Sequence, residues 1–455
     1  SRFWRNHDRS YCTFCREIRS KIEKNGILKK LNMAKILITG NGFDLHHKLP
    51  TKYQDFLEIM LKIEAIKEKE NYCFDDLFTD IKQKEDLEKF FKIENLKFKK
   101  EHILSLKESL KNNIWFQYFK EEYMIETWID FESKIEKAIN FAILFIKKTS
   151  AELTQNPKTS LPVYYPLIIE NNIEAINILE KLKIISKDTN NGRLILKSEK
   201  TFLVYKYSYY INIDEDAILN HLKQQLDDFK NIFNYYFDLI INSFLENPKS
   251  ENKASNLLNS IDYYYTFNYT DTFRKLYENS KIKNNIFNVH GKSFLEKQIT
   301  TSSEEHSIVL GFNDIDETIL NKKFYFPFTK YYQKLKNNTD YKFIKDLDLS
   351  NKSSYIYIWG HSLDKSDKDY VDEIFEFLLD KNLSSSYERK LFIIYHDEIS
   401  KSNMLLNLLS IRGKKDVEHS MRSNKLEFIK SDFQNLNEYF NKKEKAPVIS
   451  DPGFH

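Results

Sequence analysis

Five glycines that each close a short apolar run constrain this chain more than any other feature. The sequence holds only 9 glycines in 455 residues, about 2% against a usual ~7%. Gly40, Gly42, Gly291, Gly311 and Gly360 all follow such runs. In a chain so poor in glycine, these positions predict turns that need a backbone without a Cβ.

The runs themselves read as strands. Ala34 to Thr39 is short, apolar and β-branched, and it ends at Gly40-Asn41-Gly42; a helix is expected next, broken near Pro50 and resumed from Thr51. Further strands are predicted at Tyr263–Phe267, Ile286–Val289, Ile308–Leu310, Tyr355–Trp359 and Leu391–Tyr395, with a helix over Tyr370–Leu379. Strands alternating with helices predict an α/β fold, Rossmann-like, with a mostly parallel sheet covered on both faces. Between the first strand and the rest, residues 61–260 read as a large, mainly helical insertion. Within it, Trp128–Ile146 and Leu222–Ile240 carry apolar residues at three- and four-residue spacing, whereas Leu194–Leu196 and Phe202–Tyr205 suggest a hairpin. The expected organisation is an N-terminal extension at 1–32, the first strand-turn-helix at 33–60, the insertion at 61–260, the remainder of the core at 261–440 and a tail at 441–455.

Each informative motif sits at a predicted strand end, where open parallel sheets bind ligands. Gly40-Asn41-Gly42-Phe43-Asp44 would let a diphosphate approach the backbone, with Asp44 placed to cap the helix or bind a hydroxyl. Tyr265-Thr266-Phe267-Asn268 puts a neutral amide where it could hold a ribose hydroxyl or a water. Asn288-Val289-His290-Gly291 supplies an imidazole, a side chain suited to general-base work near neutral pH. Gly360-His361-Ser362-Leu363-Asp364 adds Ser362 and Asp364 as contacts for ribose or base edges, and His361 as a second histidine. Every one of these turns also has a structural reading, as a tight turn with a helix cap. Trp128-Ile129-Asp130-Phe131-Glu132 carries two acids in the insertion, but positions two apart on a helix do not share a face. A surface or hinge role is expected for them.

Charge and cysteine usage narrow the function classes. With 70 Lys+Arg against 67 Asp+Glu, no field of one sign recruits nucleic acid or membrane. No apolar run reaches the roughly 18 residues of a membrane span, so a cytoplasmic protein is expected. Cys12, Cys15 and Cys73 are too few for a disulfide scaffold, and Cys12 and Cys15 with His7 give only three candidate zinc ligands. No metal is expected.

Leu37 to Leu45, Leu49-Pro50-Thr51-Lys52-Tyr53, Trp128 to Glu132, Phe267-Asn268-Tyr269-Thr270 and Val289-His290-Gly291 together resemble the AbiH family of bacterial abortive-infection proteins. The order of the strand-end motifs also resembles that of sirtuin-like NAD-consuming enzymes, although Thr270 stands where those commonly carry an aspartate. The resemblance implies NAD, as substrate or ligand, in a sirtuin-like pocket. Gly40, Asn41, Gly42, Phe43, Asp44, Thr266, Gly360, His361, Ser362 and Asp364 would contact the nucleotide. Asn268 would orient ribose or a water, and His290 would be the base. The implied function is an anti-phage effector that hydrolyses NAD, a glycohydrolase, acting on NAD or a related nucleotide after a phage trigger. A homo-oligomer is compatible with it. Two alternatives stand beside this reading: a nucleotide-binding sensor without turnover, and a nuclease in which Asp44, Asp130 and Glu132 gather around Mg²⁺.

Overall fold

The computed structural model describes residues 33–78, 84–122, 128–155, 172–190, 193–198, 202–206, 210–249, 258–277, 282, 285–293, 308–312, 322–337, 342–384, 386–432 and 436. The extension at 1–32, with Cys12 and Cys15, and the tail at 441–455 lie outside the described residues. Six strands form one sheet: β1 Met33–Thr39, β2 Tyr263–Thr266, β3 Ile286–Asn288, β4 Ser353–Trp359, β5 Arg389–Tyr395 and β6 Leu426–Lys430. Every pairing is parallel, and the spatial order is β6-β5-β4-β1-β2-β3. This is the order of the doubly wound dinucleotide-binding sheet, whose direction of winding reverses between β1 and β4.

Burial on both faces explains why the strands read as continuous apolar runs rather than alternating ones. In register, Ile36 and Ile38 of β1 lie beside Ile356 and Ile358 of β4, and all four enter one buried cluster with Leu391 and Ile393 of β5. Their sequence neighbours Leu37, Tyr357, Trp359, Phe392 and Ile394 enter the cluster on the other face. The helix Lys368–Leu378 covers the first face by burying Val371, Ile374, Phe375 and Leu378 at helical spacing. Beside it runs Glu398–Arg422, whose N-terminus is capped by Asp397 accepting from the Ser400 amide at 2.7 Å.

The insertion forms a separate helical layer. Its principal helices are Lys100–Asn112, Trp128–Gln155 and Glu215–Tyr235, the last running on into a π-helical turn at Tyr236–Ile241, and the helix Tyr53–Ala65 that follows the first strand and turn packs with them. Phe119 and Phe131 meet at 4.2 Å between ring centroids, and Phe56 and Phe233 at 4.6 Å. Trp115 donates its indole N–H to the Leu222 carbonyl at 3.0 Å. Ile308, Leu310, Phe312, Phe324 and Phe328 share this buried cluster, so the segment that follows β3 packs with the helical layer.

Three sequence expectations change. Ile308–Leu310 is not a strand: it is a buried extended segment whose Leu310 amide and carbonyl both pair with the Gln333 side-chain amide, at 3.0 and 2.7 Å. Leu194–Leu196 and Phe202–Tyr205 do not pair with each other. They lie in two separate hairpins, Ile185–Asn190 with Arg193–Ser198 and Leu203–Lys206 with Tyr210–Ile213. The sixth strand, Leu426–Lys430, was not anticipated.

Candidate functional site

All four motif turns converge on the C-terminal edge of the sheet, where they separate into two groups. The first surrounds the crossing of the turns after β1 and β4. The Gly40 amide donates to Trp359 O at 3.1 Å and the Gly42 amide to Gly360 O at 2.8 Å. A Cβ on Gly42 would lie 2.6 Å from Gly360 Cα; one on Gly360, whose φ is +69°, would lie 2.2 Å from Phe43 N. These glycines are therefore required by backbone-to-backbone approach, and the two amides are already engaged within the protein. Asn41 donates its side-chain amide to Thr51 O at 3.0 Å, and Phe43 is buried with its ring edge-on to Trp359.

Asn268 ties the turn after β2 to that after β1. Its side-chain amide donates to Gly40 O at 3.0 Å, and its backbone amide donates to the Thr266 hydroxyl at 3.0 Å. Behind it Asp44 is buried and accepts from the Thr270 and Thr272 hydroxyls at 2.7 and 2.6 Å. Burial pushes the Asp44 carboxyl up to about 6, against the opposing hydrogen bonds of Thr272, Thr270 and Asn268.

The second group lies around Phe267, whose ring is 4.9 Å from His290 and 4.3 Å from His361. Both imidazoles are turned toward Asp367, with His290 Nε2 3.4 Å from one carboxylate oxygen and His361 Nε2 3.4 Å from the other. His361 Nδ1 accepts from the Leu363 amide at 3.0 Å, which leaves its proton on Nε2, toward the carboxylate. His290 Nε2 and Asp367 Oδ1 are buried and face each other at the outer limit of a hydrogen bond. Lys330 then stands between two acids, 2.8 Å from Glu132 and 4.0 Å from Asp367.

Electrostatics in this group follow from that arrangement. Burial disfavours the Asp367 charge, but Lys330 and the His290 and His361 imidazoles overcome it and hold the carboxyl well below its ordinary range. Burial alone would lower Lys330, yet Glu132 and Asp367 together raise it, so it remains an ammonium. Burial raises the Glu132 carboxyl, and Lys330 at 2.8 Å pulls it back toward the ionised form. His290 is lowered by burial to about 3, so its imidazole is unprotonated near neutrality.

The sequence expectations are thus met unevenly. His290 and Asn268 sit at neighbouring strand ends but engage separate partners, Asp367 for the one and Gly40 for the other. Ser362 is exposed, with its carbonyl accepting from Asn407 at 3.0 Å, and Asp364 accepts from the Ser366 amide at 2.9 Å as a local cap. Asp44 and Glu132 have separate partners, a pair of hydroxyls and a lysine. Among the described residues no group of three His, Cys, Asp or Glu could hold a metal ion. Asp367 and Lys330 were not singled out from sequence. Asp367 lies three residues beyond the Gly360–Asp364 motif, whereas Lys330 follows Phe326-Pro327-Phe328-Thr329 with no motif to mark it.

Residues 36–389 match the family described as Bacteriophage abortive infection AbiH. The chain belongs to the AbiH family. The matched span runs from β1 to the start of β5 and includes every residue of both groups, so the AbiH match implies a role in bacteriophage abortive infection for a chain built this way. No curated protein and no solved structure gives a match. Among the described residues no helix of this AbiH protein is long and apolar enough to cross a membrane.

Proposed function

We propose that this AbiH protein is an anti-phage effector that takes NAD at the C-terminal edge of its sheet and cleaves the nicotinamide–ribose bond. One observation carries the reading. His290, with its buried Nε2 3.4 Å from a buried Asp367 carboxylate oxygen, stands at the strand ends of a sheet with dinucleotide-binding order. Nicotinamide leaves as a neutral ring from a cationic precursor, so the reaction needs no strong acid. It needs an oriented ribose, exclusion of bulk water and one polarised hydroxyl or water. A neutral His290 with its N–H toward Asp367 can accept that hydrogen bond at its other ring nitrogen, and Asp367 would stabilise the imidazolium that develops if the proton transfers. The Gly40 and Gly42 amides already donate to β4, so in this reading the glycine turns shape the edge against which NAD lies rather than supplying those two donors to its diphosphate.

Nicotinamide release from NAD by the purified protein tests this directly. Turnover is expected, with His290→Ala lowering it by about 10² or more. A folded protein that neither binds nor consumes NAD overturns the reading. Binding without nicotinamide release would support a nucleotide-responsive regulator instead, the reading favoured by the low basicity of His290.

A further inference from the structure

The helical layer reaches the strand-end site through one chain of charges. Glu132 lies in the first turns of the helix Trp128–Gln155, Lys330 opens the helix Lys330–Lys336, and Asp367 precedes the helix Lys368–Leu378 on the sheet. Their side chains keep only 14%, 7% and 9% of their exposure. Buried charges this close to one another are costly unless each is matched, and here each is matched by the next. Asp367 then places one carboxylate oxygen toward each imidazole.

We propose that Glu132 and Lys330 are positioning residues: through them the helical layer fixes the Asp367 carboxylate, and with it the His290 and His361 imidazoles. The inference rests on reading the strand-end group as the functional site. Lys330 faces two carboxylates and, were Glu132 uncharged, would settle on Asp367. Glu132 engages it at 2.8 Å and so sets its distance from Asp367 at 4.0 Å. Without the Glu132 charge, the ammonium is drawn to Asp367 and competes with both imidazoles for the same two oxygens. Other charges bear on this group: Asp364 acts on both Glu132 and Lys330, and Lys334 acts on His290. Neither closes the 2.8 Å contact.

The test is Glu132→Gln in the full chain, which keeps size and removes charge. The imidazole ring nitrogen resonances of His290 and His361, assigned by His→Gln substitution of each, are expected to move. NAD turnover should fall on the order of tenfold, the scale at which residues behind a functional group act, mainly in kcat. Should the Gln variant not fold, Glu132→Asp keeps the charge but draws it back by one methylene, and the same resonances should move by less. Unmoved resonances in a folded variant overturn the proposal, whatever the melting temperature does, because a purely stabilising ion pair would leave them in place. The resonances are read without NAD, so a protein that fails to consume NAD but shows the shift loses the proposed reaction and keeps this inference.

Discussion

Asp44 and Asp367 are buried to nearly the same degree at the same edge of the sheet, yet their carboxyls move in opposite directions. Among the described residues, Asp44 has two threonine hydroxyls and an amide around it, and no cation. Those dipoles oppose the loss of water without cancelling it, so the acid is pushed toward neutrality. Asp367 faces an ammonium and two imidazoles, and stays ionised. The neighbours, more than the depth, decide the charge of a buried carboxylate.

The most damaging way to break this contrast is Lys330→Met, which leaves Glu132 and Asp367 buried together without their cation. A loss of about 3–5 kcal/mol is expected, the usual result of removing one member of a buried pair, read by denaturant unfolding at neutral pH. Acid should restore part of it as the two carboxyls become protonated.

Gly360→Ala attacks the seam between the two groups. Its Cβ would meet the Phe43 amide nitrogen at a positive φ, so about 2–4 kcal/mol of stability should be lost, combining overpacking with left-handed strain. A variant as stable as the parent would show that the crossing of the β1 and β4 turns relaxes easily.

The acids themselves are separated by pH. Because the folded Asp44 carboxyl titrates near 6 and the unfolded one near ~3.9, its contribution is fully present below about pH 4 and is lost as pH rises through 6. Asp44→Asn removes that dependence. Relative to the parent, the variant should therefore gain up to about 3 kcal/mol between pH 4 and 7. Asp367→Asn should show the opposite trend, since the Asp367 contribution is present at neutral pH and lost on acidification. Melting temperatures check the sign, between pH 4 and 7 for the Asp44 variant and below about pH 4, where an unfolded carboxyl of ~3.9 takes up its proton, for the Asp367 variant; parallel curves in both windows would remove the contrast.

The smallest expected effect comes from Thr272→Val, which deletes one hydroxyl from Asp44. The cost should be about 1–2 kcal/mol where Asp44 is ionised and smaller at pH 5, where the acid can donate for itself. Equal losses at pH 5 and 8 would mean that Thr272 serves packing alone.

Much of the edge was legible in the sequence because local chemistry and global position agree there. A glycine behind an apolar run marks a strand end whatever surrounds it, and this placed Gly40, Gly42, His290 and Gly360 together. Why the glycines are needed was less legible: the sequence suggested access for a ligand, while the structure shows two backbones in contact. Glu132 was visible in its motif but read as surface, because helix spacing says which residues share a face and not what packs on that face. Lys330 left no trace, since a buried lysine and an exposed one look alike until their carboxylates are located. The same limit explains Ile308–Leu310, an apolar run that reads as a strand although a glutamine side chain takes its backbone groups.

The insertion between β1 and β2 also carries a consequence for synthesis. Thr39 finds its hydroxyl partner Tyr264 only 225 residues further along the chain, and the other neighbour of β1 ends later still, at Trp359. At ~5–20 residues per second, the central strand leaves the ribosome roughly 10–45 s before its first partner exists. Neither histidine can reach Asp367 until four of the six strands have been translated. The order of the strands therefore sets when this edge can assemble: it is completed late in synthesis, long after its first strand has emerged.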